Sequence, residues 1–364
     1  MFEDLVSKDV ASLVPYPPGK PLEELERELG ISGAVKLASN ENPLGPSPKA
    51  RSALTAALPN LHRYPDGRGY YLKQALAEHL GVEMAQIVLG NGSNEIIELC
   101  VRTFLGPGHG AVFSDPTFLV YAKVVQGAGG GVTRVPLKNF RHDLSGLARA
   151  VTGQTRLVFL DNPNNPTGAL VPPEELKSFM ADLPRLTILV LDEAYRDFVR
   201  EGGLVEPAML IEGDRPVIML RTFSKAYGLA GLRVGYGLAQ AELVGYLDRV
   251  RQPFNVNTLA QAGALAALDD EEFYQKTREV TWSGMDWLRS ELDLIGLKWR
   301  PSQTNFFLID LDRPADEVAK AMLHEGVIIR SMKSYGLEKT IRINVGLPGE
   351  NERFIQALKK TLGR

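Results

Sequence analysis

The chain has 364 residues, of which 44% are hydrophobic and 23% charged. That is ordinary globular composition, so disorder over most of the chain is excluded, and the length suits one large α/β unit with a satellite domain. With 41 Lys and Arg against 44 Asp and Glu, the net charge is −3, which argues against a dedicated nucleic-acid binder.

The N-terminal residues Met1–Phe2–Glu3–Asp4 carry neither a basic nor an apolar signal region, and a secretory signal is not expected. Val14–Pro21 holds four prolines and cannot be regular helix or central strand, so it reads as an extended arm. A short helix is expected over Leu22–Leu29, stopping at Gly30. The proline-rich stretch Asn40–Pro48 reads as a structured loop leading into a helix over Pro48–Leu58. From about residue 70 to 240, helical patterns alternate with short apolar strands: Ile87–Leu89, Ala111–Phe113, Val132–Val135, Arg156–Leu160, Ile188–Leu191, Val217–Leu220 and Val234–Gly237. Several are continuously apolar, as in a largely parallel sheet covered by helices on both faces.

Helical periodicity then covers about 240–250, 258–292 and 315–325. Strand-like pieces are Asn305–Asp310, Gly326–Arg330 and Thr340–Val345, and a last helix begins near Glu350. The expected division is an arm over 1–30 packing on the small domain or a partner subunit, a large domain over 31–250 and a small α+β domain over 251–364. Cys100, the only cysteine, lies in the apolar run Ile96–Val101 and reads as a buried core thiol; it excludes an intramolecular disulfide or a multi-thiolate zinc site. With no apolar run long enough to span a bilayer, a reducing cytoplasm is the expected location.

In an open α/β sheet, ligands sit at the carboxyl ends of the strands, so those ends are where chemistry is sought. One apolar strand ends in Asp192, with Tyr195 three residues on; another ends in Arg221–Thr222–Phe223–Ser224–Lys225. A third leads into Asp161–Asn162–Pro163–Asn164–Asn165–Pro166–Thr167–Gly168, whose prolines force a non-helical turn able to aim an amide. A fourth runs into Gly90–Asn91–Gly92–Ser93–Asn94 ahead of a helix over Glu95–Leu105, a setting in which free N–H groups and the helix dipole favour phosphate. Each feature alone is commonplace. Together they ask for one ligand with a phosphate, a basic ring nitrogen, a phenolic oxygen and a carbonyl, and pyridoxal phosphate has all four.

Ser39–Asn40–Glu41–Asn42–Pro43, Asn164–Asn165–Pro166–Thr167–Gly168, Asp192–Glu193–Ala194–Tyr195 and Ser224–Lys225–Ala226–Tyr227–Gly228–Leu229–Ala230–Gly231–Leu232–Arg233 occur in that order. With them the chain resembles, over nearly its whole length, the fold-type I pyridoxal-phosphate aminotransferases, and among these the histidinol-phosphate aminotransferases. The resemblance implies a large domain with a mostly parallel seven-stranded sheet between helices, plus a smaller α+β C-terminal domain. It implies that Lys225 forms the Schiff base with pyridoxal 5'-phosphate and later carries the proton from Cα to the cofactor's C4′. Asp192 pairs with the ring nitrogen, Asn165 and Tyr195 with the ring hydroxyl. Gly92, Ser93 and Asn94, helped by Thr222, Ser224 and Arg233, hold the phosphate. Phe118 stacks on the ring where the family often has tyrosine, and Thr222 stands where serine is frequent. Tyr64 matches a tyrosine that crosses from the other subunit to the phosphate, which implies a homodimer with shared sites.

On the substrate side the resemblance points to Tyr16, Asn40 and Arg342, with Asn305 in the pocket wall. Arg330 lies twelve residues before Arg342, and if the two flank a loop between paired strands, both guanidinium groups face one pocket. Two such groups suit a phosphate monoester or the dicarboxylate 2-oxoglutarate; a structural ion pair is the other reading of Arg330. The expected reaction is transamination between L-histidinol phosphate and 2-oxoglutarate, giving imidazole-acetol phosphate and L-glutamate by ping-pong kinetics. The alternatives are an aromatic amino-acid aminotransferase and a threonine-phosphate decarboxylase. Gly127–Gly131 lacks dinucleotide-motif spacing, and the five histidines show no metal-ligand spacing.

Overall fold

The computed structural model describes residues 2–15 and 19–364. Among the described residues, twelve strands form three sheets. In chain order they are β1 (Val35–Lys36), β2 (Ile87–Gly90), β3 (Gly110–Asp115), β4 (Gly131–Pro136), β5 (Thr155–Asp161), β6 (Ile188–Asp192), β7 (Val217–Thr222), β8 (Gly235–Ala239), β9 (Phe306–Asp310), β10 (Val327–Ile328), β11 (Arg330–Ser331) and β12 (Thr340–Asn344).

The central sheet has seven strands in the order β2-β8-β7-β6-β5-β3-β4, with β8 antiparallel to both its neighbours and every other pairing parallel. Its inner strands are largely apolar because both faces are covered, whereas the edge strand β4 is mostly exposed and carries Thr133 and Arg134. Val158, Leu160, Leu189 and Leu191 point into one buried cluster, while Leu157, Phe159, Ile188 and Val190 alternate with them into the other. The expected strands match to within one or two residues. The helix after β2 spans Ser93–Phe104, two residues earlier than the pattern suggested, so Ser93 and Asn94 lie in its first turn.

The smaller core forms around β11-β12-β9 and the helices Glu271–Leu294, Ala315–His324 and Pro348–Leu362. β1 pairs with β10, and Val35 and Leu37 join this C-terminal core, so the chain just after residue 31 packs with the small unit. The helical stretch 258–292 is two helices, broken at Asp269–Asp270; the first, Thr258–Leu268, packs on the helices Pro48–Ala57 and Tyr70–Leu80 of the large unit. The Gly326–Arg330 segment likewise splits between two sheets, β10 with β1 and β11 with β12.

The N-terminal segment divides too. The helix Leu22–Leu29, closed by Gly30 at φ +64°, packs on the small unit through Leu25 and Ile328. The earlier turn Lys8–Ala11 lies on the helix Val120–Gly127 of the large unit. Cys100 is buried, and burial pushes its thiol far above the usual range, as an inert core thiol requires. Among the described residues no helix is long and apolar enough to cross a membrane.

Candidate active site

The carboxyl ends of β2, β5, β6 and β7 open on one edge of the central sheet, and a cleft of about 210 Å³ sits there. Ser93, Asn94, Phe118, Asn165, Asp192, Tyr195, Thr222, Ser224, Lys225 and Arg233, ten residues singled out from the sequence, all line it. They arrive from six chain segments, brought together because strand order, not chain order, decides which loops are neighbours.

Asp192 ends β6 and is buried. Its Oδ1 accepts from the Ala194 N–H at 3.0 Å and its Oδ2 from the Tyr121 hydroxyl at 2.8 Å. Burial pushes its carboxyl up to about 7 despite these donors. Tyr121, stacked on Phe159 at 4.8 Å, was not marked by the sequence; its place in the helix Val120–Gly127 reads as ordinary core.

Lys225 donates to the Ser39 carbonyl at 3.2 Å, and its ammonium lies 5.6 Å from the centre of the Tyr195 ring. Burial, with Arg342 next in effect, brings its pKa down to about 8. Tyr195 is raised well above the usual phenol range by burial, and its oxygen accepts from the Asn40 amide at 2.9 Å. Arg342 Nη1 donates to Asn165 Oδ1, and its guanidinium carbon lies 5.0 Å from the Phe306 ring.

At the other end of the cleft, Gly92 precedes the helix Ser93–Phe104 with φ +79° and no side-chain cap. It does not line the cleft itself, but a Cβ there would come within 2.5 Å of Arg233 Nη2. Gly235 is constrained in the same way, since a Cβ would meet Ser93 N at 2.7 Å. Arg233 donates to Ser224 Oγ at 3.3 Å, and Thr222 Oγ1 accepts from the Ser224 N–H at 3.0 Å. A helix N-terminus, two hydroxyls and a guanidinium thus share one small volume, the chemistry of an anion site.

On the side facing the small unit, Asn305 donates to the Asn40 carbonyl at 3.2 Å, and the Asn40 N–H donates to Asn344 Oδ1 at 3.0 Å. Asn40 Oδ1, Asn305 Oδ1 and Arg342 Nε are buried without a hydrogen-bond partner among the described residues. Arg330 stands directly opposite Arg342 in the β11–β12 pair, so both side chains leave the same face of the sheet. Tyr16 lies outside the described residues. Tyr64 is 83% exposed and stacks on Phe254 at 4.8 Å, away from the cleft of its own chain. Asp161, which also lines the cleft, was missed as a site residue because it reads as the first residue of a turn.

Residues 32–358 match the family described as aminotransferase class I and II. The histidinol-phosphate aminotransferase of Desulfotalea psychrophila is 51% identical over 98% of this chain and 95% of its own length. That of Moorella thermoacetica is 48% identical over 97% and 92%. Among solved structures, the histidinol-phosphate aminotransferase of Sinorhizobium meliloti, in complex with pyridoxal 5'-phosphate, superposes with a TM-score of 0.90 at 32% identity, covering 98% of this chain and 97% of that one. Matched at this identity and over almost its full length, the chain belongs to the class I and II aminotransferases.

Proposed function

We propose that this enzyme transfers the amino group of L-histidinol phosphate to 2-oxoglutarate, using pyridoxal 5'-phosphate, and so serves histidine biosynthesis. The observation that carries the reading is a partly buried lysine amine, Lys225, sharing one cleft with a buried carboxylate, Asp192, and a helix N-terminus. The residues fit the cofactor: Gly92, at positive φ and without a Cβ, lets the Arg233 guanidinium lie against the start of the helix, and the cleft carries donors and acceptors for each polar corner of the ring.

Bound pyridoxal phosphate supplies a carbonyl for an amine to condense with and a ring that accepts the electron pair left when Cα loses its proton. Asp192 holds a proton at the ring nitrogen. Asn165, its oxygen engaged by Arg342, offers its amide nitrogen to the ring hydroxyl, and Tyr195 holds the same corner. Phe118 covers one face of the ring. Ser93, Asn94, Thr222, Ser224 and Arg233 bind the phosphate. Lys225, drawn down to about 8, is a neutral amine in about one molecule in ten at pH 7, against fewer than one in a thousand for an ordinary lysine, and moves the proton from the substrate's Cα.

Arg342 binds the carboxylate of 2-oxoglutarate. Arg330, opposite it on the paired strand, adds the second cation that a phosphate monoester or a second carboxylate needs. Asn40, Asn305 and Tyr16 complete the substrate wall. This donor is favoured over an aromatic amino acid or threonine phosphate by the names of the relatives at about half identity. We further read the enzyme as a cytoplasmic homodimer in which the exposed Tyr64 reaches the partner's phosphate site.

A donor panel tests the assignment. The purified, cofactor-loaded enzyme is given 2-oxoglutarate with histidinol phosphate, phenylalanine, tyrosine or threonine phosphate, and glutamate and carbon dioxide are followed. A large kcat/KM preference for histidinol phosphate is expected. Preference for phenylalanine or tyrosine would remove the donor assignment, and carbon dioxide without glutamate from threonine phosphate would replace transamination with decarboxylation.

A further inference from the structure

Asp161 ends β5 in register beside Asp192 at the end of β6, and both carboxylates line the cleft. It is 3% exposed. Its Oδ1 accepts from Thr117 Oγ1 at 2.6 Å and from Asn164 Nδ2 at 3.1 Å, and its Oδ2 accepts from the Asn165 N–H at 2.7 Å. His142 lies alongside, with Nε2 at 2.9 Å from the Asp161 carbonyl and Nδ1 at 2.6 Å from Ser114 Oγ. His142 Nε2 also lies 3.5 Å from Oδ1, and burial lowers the pKa of that imidazole; no Lys or Arg pairs with Asp161 among the described residues, and the hydrogen-bond donors to its carboxylate are neutral.

Those donors come from two loops. Thr117 precedes Phe118, and Asn164 and Asn165 belong to the turn after β5. One carboxylate therefore ties the segment that presents the stacking ring to the segment that presents the ring-hydroxyl amide. We propose that Asp161 is a positioning residue for the cofactor, which fixes Asn165 and Phe118 relative to each other across the bound ring. This rests on the cofactor assignment and is independent of which donor the enzyme uses.

An amide cannot replace this carboxylate. Asparagine has one acceptor oxygen and a donor nitrogen, so at least one of the three incoming donors would face another donor. The spacing between the two loops then opens.

The test measures pyridoxal phosphate binding, without turnover, in D161N, T117V and T117S. Kd comes from absorbance titration, and the visible circular dichroism of the bound cofactor reports how the ring is held. D161N is expected to bind about tenfold more weakly or worse, as loss of a buried hydrogen bond to a charged group implies, with an altered dichroism band. T117V should show a smaller change in the same direction and T117S should restore wild-type values, so this pair tests the proposal even where D161N does not fold. Wild-type Kd and dichroism in D161N, or identical T117V and T117S, would overturn it. So would a lowered melting temperature with unchanged Kd and dichroism, which would leave Asp161 a purely structural residue. Failure of the wild-type chain to bind the cofactor would instead strike at the cofactor reading.

Discussion

Replacing Glu193 with glutamine tests how the floor of the cleft is held. Glu193 follows Asp192 directly, and its Oε2 accepts from Arg221 Nε at 2.8 Å. The two side chains are 3% and 4% exposed, and Arg221 immediately precedes Thr222. The pair thus ties the end of β6, which carries Asp192, to the end of β7, which leads to Ser224 and Lys225. Removing one partner of a buried ion pair costs about 3–5 kcal/mol because the other charge stays behind. The glutamine oxygen still accepts from Arg221, so the low end, about 3 kcal/mol, is expected. For a chain of 364 residues the unfolding entropy is about 0.8 kcal/mol per kelvin, which makes the loss about 4 °C in Tm. Thermal unfolding followed by circular dichroism measures it. R221M combined with E193Q removes both charges, and that double variant should be no less stable than E193Q alone. A Tm loss under about 1 °C for E193Q, or strictly additive losses in the double variant, would refute the argument that an unpaired buried charge is what destabilises.

Lys225→Ala should abolish turnover and the lysine-linked visible absorbance while leaving far-ultraviolet dichroism unchanged; retained activity would refute its role. Asp192→Asn should cripple turnover with the fold intact, checked by the same spectra alongside initial rates. The Lys225 amine must be neutral to condense with the cofactor, so the loading rate of the apoenzyme should rise with pH through about 8 and level off above it. A midpoint above 10 in that rate profile would contradict the depressed value. Arg330→Met should raise KM for histidinol phosphate about tenfold or more, with little change for phenylalanine, because in this reading the lost cation meets the donor's phosphate and phenylalanine carries none. Equal effects on both donors would make Arg330 a structural residue.

Much of the fold is legible in local sequence, and ten of the residues marked there meet in one cleft. A strand buried on both faces has to be apolar throughout, so a polar residue after it, such as Asp192 or the Arg221–Lys225 run, marks both its end and a place for chemistry. Helix limits are legible for the same local reason: a proline at the first turn at Pro48, a left-handed glycine at Gly30. What local sequence does not determine is which distant segments meet. Val35 and Leu37 read like any apolar pair, and only tertiary pairing of β1 with β10 assigns them to the C-terminal core. Tyr121 and Asp161 read as core and turn; their place at the cleft follows from which helix lies behind β6 and from the strand order that sets β5 beside it. The facing of Arg330 and Arg342 was conditional on strand pairing, and the β11–β12 register supplied it. Periodicity reports only how each residue is buried within its own element, whereas a site is made where elements with no sequence proximity are forced together by packing, and that is decided by the tertiary structure alone.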